Sequence, residues 1–455
     1  MCWANTPKAA GFMKGIFSKK GRIRTATRPL RRKIRRNFFA RMAKAKRPFI
    51  HAKVVAVTGS SGKTTTTMLI AEMLQSSYNT RIQVYANTLV DCARAVVSTH
   101  RHDDFLVVET GADRPGNLAA TAAAIQPDIA VVTFVGLEHK SQFGTREGVA
   151  AEKGSLVEAV AKGGLAVLNA DDELVMGMAG RTQERVVTFG LENDADYRVT
   201  EVQQRLPGPL ELTIKCKQGE FRITSGLNGR HYWANIAAAF AVAMECGVAI
   251  EKILVTLKTF TPAVNRCEIF AVEGGPTFVL DTVKAPLGTL DTATDLVSAA
   301  DYRRKRIVLG MIGDYRGSAK KAHREAYALA AGVADQVIMV GEHAHRHRAS
   351  EDDIESGRIV EKLSAKDTFE YLRETAEPGE LILLKSSTAA HLERVALAFR
   401  HDVKCWKDKC GMLEPCQICG LYEYPFSEHG AVRKTIRPVE VKYSDGYVRP
   451  PAGRQ

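Results

Sequence analysis

Gly59-Ser60-Ser61-Gly62-Lys63-Thr64-Thr65 sets two glycines, a lysine and four hydroxyls side by side. Those residue types suit a phosphate. Glycines let backbone N–H groups close around phosphate oxygens. A lysine at this spacing reaches the β/γ-phosphates, and the next threonine hydroxyl ligates Mg²⁺. The flanks agree: Val54-Val55-Ala56-Val57 reads as a buried strand, and Met68, Leu69, Ala71, Met73 and Leu74 as the apolar face of a helix. Strand, turn and helix make a phosphate loop, because the helix start contributes the positive end of its dipole. The general pattern G-x-x-x-x-G-K-[ST] puts a glycine at position 57, where this chain has Val57. Its glycine is Gly59 instead.

Other residues with chemistry follow at strand ends. Phe105-Leu106-Val107-Val108-Glu109 is a buried-strand pattern ending in a carboxylate, and parallel strands present functional groups at their C-terminal ends. Glu109 is therefore expected beside the phosphate loop, holding a metal or orienting water. The strand pattern 128–135 leads into Gly136-Leu137-Glu138-His139, and a helix then carries Glu152-Lys153-Gly154. Asn169-Ala170-Asp171-Asp172 closes the next strand. Gly229-Arg230-His231-Tyr232-Trp233-Ala234-Asn235 opens an Ala-rich helix expected over Ile236 to Gly247, within the apolar stretch Ala234 to Ile250. Farther on stand Arg266, a strand ending in Asp281, the run Lys385-Ser386-Ser387, and Ser318 and His323 around a helix from Arg324 to Ala331.

In this order the motifs resemble the Mur ligase family, ATP-dependent ligases that join amino acids or peptides to a carboxylate. The resemblance covers about residues 50–400. It implies that Gly59, Ser60, Ser61, Gly62, Lys63, Thr64 and Thr65 grip ATP, and that Thr64, Glu109, His139 and Lys153 serve Mg²⁺. In many members the lysine matching Lys153 is carbamylated, which turns a cation into an oxygen donor of the kind a hard cation takes. The resemblance further implies that Asn235 faces the adenine, that Arg266 reaches the phosphates with its planar fork, and that Asp281 holds the ribose. Lys63, Glu109, His139, Lys153 and Arg266 would be the catalytic set. Tyr232 replaces an asparagine of the family pattern, and Ser386 replaces a glycine. The implied reaction is attack of a carboxylate on the γ-phosphate, then of an amine on the acyl phosphate. The substrate is an amino acid, a peptide or a cell-wall precursor. Only about fifty residues precede the loop, so the carboxylate is expected to be presented without the family's N-terminal UDP-sugar domain.

Cys405-x4-Cys410-x5-Cys416-x2-Cys419 sets four thiols close together with one C-x-x-C arm, a structural zinc arrangement. The spacing is not the C-x4-C-x2-C of a plant-type ferredoxin. Disulfides are the alternative, and His429 could replace one ligand. The module is also a candidate surface for a protein partner. The run His343-Ala344-His345-Arg346-His347 reads as exposed loop histidines.

A chain of 455 residues is expected to split into domains. The expected class is α/β. A basic arm (1–50) precedes a P-loop central domain with a mostly parallel sheet (51–265). A smaller Rossmann-like α/β domain (266–402) follows, and then a four-cysteine metal-binding module with its tail (403–455). No apolar run is long enough to span a bilayer. The arm carries 16 Lys and Arg and no acid, which leaves the rest of the chain at −3 against a total of +13. Leu30, Ile34, Phe38 and Phe39 share one helical face there. The readings open are packing on the first domain, an anionic membrane surface, nucleic acid and organelle targeting. No RNA-binding signature accompanies the charge. The scattered cysteines suit a reduced, cytoplasmic protein, with peripheral membrane contact left open. The competing function is a P-loop ATPase acting as a switch bound to nucleic acid or membrane.

Overall fold

The computed structural model describes residues 33–435 apart from 137–139, 314, 316 and 413. His139, Leu30, the arm before residue 33 and the tail after 435 lie outside the described residues.

The first sheet has nine strands in the order β2-β3-β1-β4-β5-β6-β7-β8-β9. They are β1 (Lys53–Thr58), β2 (Thr80–Gln83), β3 (Phe105–Glu109), β4 (Ile129–Val132), β5 (Leu165–Asn169), β6 (Arg185–Gly190), β7 (Tyr197–Gln204), β8 (Leu210–Cys216) and β9 (Gly219–Ser225). Strands β2 to β7 pair in parallel, and β7 to β9 extend the sheet as an antiparallel meander. The parallel strands read as continuous apolar runs because both faces are covered: every residue of β3, β4 and β5 is buried.

The helices of this half are α1 (33–46), α2 (Lys63–Gln75), α3 (Leu89–Ser98), α4 (Asn117–Ile125), α5 (Lys140–Phe143), α6 (Arg146–Glu158), α7 (Glu173–Met176), α8 (Trp233–Glu245) and α9 (Ile250–Thr259). The Ala-rich helix ends within two residues of the expected Gly247. Gly247 at φ +77° ends it, and α9 begins afresh at Ile250. In α1, Phe39, Ala40 and Ala43 pack on the domain, and Lys46 Nζ donates to the carbonyls of Val97 and Thr99 at the end of α3. Ile34, Phe38 and Met42 remain exposed.

The second sheet runs β10-β11-β15-β12-β13-β14, from β10 (Arg266–Ala271), β11 (Thr277–Asp281), β12 (Lys305–Leu309), β13 (Gln336–Val340), β14 (Ile359–Lys362) and β15 (Leu381–Lys385). Only the β10–β11 pair is antiparallel. Helices α10 (Leu290–Ser298) and α11 (Ala319–Ala331) belong to it. The histidine run is not uniformly exposed. His345 is, but His347 is buried, bonded to Glu361 at 2.9 Å and accepting from Ala349 N–H, so it is a structural residue.

Candidate active site

Strand β1 lies between β3 and β4, and the chain leaves β1 and β4 in opposite directions. Ligands of open α/β sheets bind at such a reversal, beyond the carboxyl ends of the strands. The loop 59–62 occupies that point. Ser60 N–H donates to the Phe134 carbonyl at 2.7 Å, and the Thr133 hydroxyl to the Ser61 carbonyl at 2.6 Å, so the segment after β4 braces the loop. Gly59 sits at φ +147°, and a Cβ there would lie 2.0 Å from Thr133 Oγ1. Gly62 sits at φ +80°, with Asn235 Nδ2 2.4 Å from where its Cβ would be. Both positions need glycine for close approach and for backbone angle. Position 57 does not: Val57 is a fully buried strand residue in the core.

Lys63 begins α2 and folds back, its Nζ donating to the Gly59 carbonyl at 2.5 Å. Thr64 donates its hydroxyl to Glu109 Oε2 at 2.9 Å. Glu109, 3% exposed, also accepts from Tyr85 N–H and from Asn87 Nδ2, each at 3.1 Å. A buried carboxylate held in this way and touching a hydroxyl is a donor set that fits Mg²⁺, which takes oxygen ligands. Tyr85 and Asn87 carry no motif signal, since they come from the loop before α3.

Lys153 lies in α6, which packs on α4 and over β1 and β4. Its side chain is 2% exposed. Its neighbours in the motif have plain structural tasks. Glu152 accepts from the N–H groups of Gly116 and Leu118 at 2.7 and 2.6 Å, capping α4. Gly154 leaves room for Arg181, whose Nη1 would lie 1.8 Å from a Cβ there. The Asn169–Asp172 run is also structural. Asn169 ties β5 to the Thr133 carbonyl, Asp171 holds the turn after β6, and Asp172 caps α7 and grips Val135 N–H.

Asn235, near the start of α8, donates to the Gly62 carbonyl at 3.0 Å and the Thr66 hydroxyl at 2.9 Å. Its amide nitrogen is thus spent on the phosphate loop. His231, one turn earlier, meets the second sheet: Asp281 ends β11, Lys385 ends β15, and both act on it electrostatically. Burial pushes the imidazole down to about 4, with Lys385 adding to the effect and Asp281 opposing it. The ring is therefore neutral at physiological pH, and its buried Nδ1 has no hydrogen-bond partner. Lys385 Nζ donates to Asp281 Oδ2 at 2.5 Å and to the Lys284 carbonyl at 3.0 Å. Tyr232, the departure from the family pattern, donates its hydroxyl to the Arg266 carbonyl at 3.1 Å. It ties α8 to the linker. Arg266 opens β10, opposite Asp281 in the register. Lys63, Thr64, Glu109 and Asn235 thus gather around the loop, while Asp281 and Lys385 of the second sheet meet His231. Ser318 caps α11, and His323 bonds the Ala319 carbonyl at 2.7 Å.

Two family models match this arrangement: the Mur ligase middle domain over residues 57–243, and the Mur ligase glutamate ligase domain over residues 265–388. The chain belongs to the Mur ligase family. It is an ATP-dependent ligase that forms carbon–nitrogen bonds. Among its relatives, the UDP-N-acetylmuramoyl-tripeptide–D-alanyl-D-alanine ligase of Mycobacterium tuberculosis is 29% identical over 385 residues, covering 80% of this chain and 74% of the relative. The corresponding ligase of Bacillus subtilis is 26% identical, covering 78% and 77%. In fold, the chain is similar to the MurF ligase from Thermotoga maritima solved in complex with ADP, with a TM-score of 0.71 and 23% identity, covering 80% and 83%. A pseudomurein peptide ligase from Methanothermus fervidus shares the fold at a TM-score of 0.59 and 16% identity, covering 76% and 78%. The cysteine module after β15 lies beyond both matched Mur ligase segments.

Proposed function

We propose that this Mur ligase joins the amine of D-alanyl-D-alanine to the terminal carboxylate of a peptide-bearing cell-wall precursor. The substrate choice rests on the likeness to ligases of that name. The residue roles are supported by one observation: His231, one turn before Asn235, is acted on by Asp281 and Lys385 at the strand ends of the second sheet. A carboxylate oxygen of the precursor attacks the γ-phosphorus, and ADP leaves with the electron pair of the broken bond. The amine then attacks the acyl carbon, phosphate departs, and the amine gives up a proton. Lys63 and Arg266 hold the phosphates through this sequence, and the N-terminus of α2 adds its dipole. Thr64 and Glu109, with His139 and Lys153, are the residues that hold Mg²⁺. When bound, Mg²⁺ neutralises charge on the transferring phosphoryl group. Most of the rate comes from position and fixed charge rather than from proton transfer. Asp281 and Asn235 place the nucleoside.

The test is ADP release with the UDP-linked muramoyl tripeptide and D-alanyl-D-alanine. One ADP and one phosphate are expected per amide formed, with turnover collapsing when either substrate is omitted. ATP hydrolysis that ignores every amine and responds to DNA or RNA would sink the ligase roles. Coupling with a free amino acid but not the dipeptide would redirect the substrate.

Two further readings belong here. Cys405, Cys410, Cys416 and Cys419 hold a structural Zn²⁺. The exposed Ile34, Phe38 and Met42, set among Arg35, Arg36 and Arg41, touch an anionic membrane surface. Cosedimentation with phosphatidylglycerol vesicles is expected at low salt, lost at high salt and lost in the Ile34→Ser/Phe38→Ser variant. Equal recovery with neutral vesicles would remove the surface reading.

A further inference from the structure

The four clustered cysteines line one cavity together with residues from outside their run. His391 is 1% exposed and sits just after the Lys385-Ser386-Ser387 loop. Its Nε2 is 3.1 Å from Cys410 Sγ, and its Nδ1 is 3.6 Å from Cys416 Sγ. It holds a backbone angle of φ +46°, which a non-glycine residue seldom adopts without a reason. Arg394 aims N–H groups at Cys416 Sγ (3.1 Å) and Cys410 Sγ (3.8 Å), placing a cation against the thiols. His391, Glu393 and Cys416 bring their ligand atoms within 4.8 Å of one another. All eight described cysteines are free thiols, which sets the cluster apart from a disulfide pair.

The cavity is joined to the linker between the two sheets. Cys416 N–H donates to the buried Glu393 at 2.9 Å, and Glu393 accepts from the Thr282 hydroxyl at 3.3 Å. Thr282 directly follows Asp281, and its N–H donates to the Asn265 carbonyl at 3.1 Å. Gln417, between Cys416 and Cys419, closes the loop. Its side-chain amide pairs with that of Asn265 in both directions, at 2.7 and 3.3 Å. Asn265 directly precedes Arg266, is 1% exposed, and sits at φ +58°. A residue held in that region needs its surroundings to keep it there.

We propose that zinc held by four donors drawn from the cysteine cluster and His391 turns the module into a strap that positions Arg266 and Asp281 for the nucleotide, acting through Gln417 on Asn265. The proposal rests on the zinc reading and on the nucleotide roles above. Zinc fixes the 416–419 turn because its ligands must hold tetrahedral positions. Glu393 and Arg394 orient the ligands from behind, as outer partners of metal sites do. The turn then holds the linker residue before Arg266 and, through Glu393, the residue after Asp281. Gln417 and Asn265 are positioning residues, since neither touches the substrate.

The experiment compares the intact enzyme with Gln417→Ala, Asn265→Gly and the double variant. Glycine keeps φ +58° accessible, so Asn265→Gly removes the amide without straining the linker. One zinc per chain is expected by elemental analysis in all four proteins. Each single variant should raise the KM for ATP about tenfold with kcat changed much less, the size of coupling that contacting residues carry. The double variant should lose no more than either single one. Stripping zinc from the intact enzyme should raise the same KM, and zinc added back in the presence of Mg²⁺ should restore it. No zinc in the intact enzyme would overturn the zinc reading. Full zinc with unchanged KM in Gln417→Ala, or losses that simply add, would overturn the strap and leave the zinc site standing.

Discussion

Lys63→Ala is expected to lower ligase turnover roughly 10³-fold, the loss that follows removal of one preorganised group from developing charge. The fold should survive, because Lys63 is partly exposed at the start of α2 and contributes to no core cluster. Its ammonium rests 2.5 Å from the Gly59 carbonyl, against the phosphate loop. Lys63→Arg should recover little. A planar guanidinium cannot take the place of a compact ammonium in a loop where Thr133 and Asn235 already fill the sites above Gly59 and Gly62. Steady-state ADP release with both substrates, beside a thermal melt, checks both statements. Turnover within about tenfold of the parent at an unchanged melt would mean the loop grips something other than the reacting phosphate.

The parts of the site that could be read in the sequence are those where function and chain order coincide. The phosphate loop is contiguous, and Glu109 is announced by the strand that ends in it. The first sheet's parallel strands are announced by apolar runs. Residues that hold these groups could not be read in the same way. Asn87 and Tyr85 support Glu109 from a loop whose sequence has no pattern. Asn265 and Gln417 meet across a separation of 152 residues, and nothing in local spacing encodes that pairing. His391 joins the cysteines although it lies outside their run. Tyr232 read as a departure at the nucleotide, whereas its hydroxyl serves the linker. His347 read as exposed because its partner, Glu361, lies fourteen residues on, in β14.

Lys153 carries the second large effect, and it falls on turnover as well as on stability. A lysine side chain 2% exposed has given up most of its hydration, and a charged group so placed costs free energy unless its surroundings return it. Methionine has nearly the same volume and no charge. Lys153→Met should lower the thermal midpoint, since removing one member of a buried polar contact leaves the other uncompensated. Turnover should fall about 10²-fold or more, the cost of misplacing a group in a site that works by position. A purely structural lysine would give the lower midpoint with little change in rate. Lys153→Ala separates an ammonium role from that of a carbamate, which offers oxygens to Mg²⁺. Truncation leaves a cavity, so a small carboxylate such as acetate or propionate should restore part of the turnover of Lys153→Ala. It should do nothing for Lys153→Met, where the side chain fills the space. Rescue by a small amine instead would assign the position to a cation. Full activity in Lys153→Met would remove Lys153 from the reaction altogether.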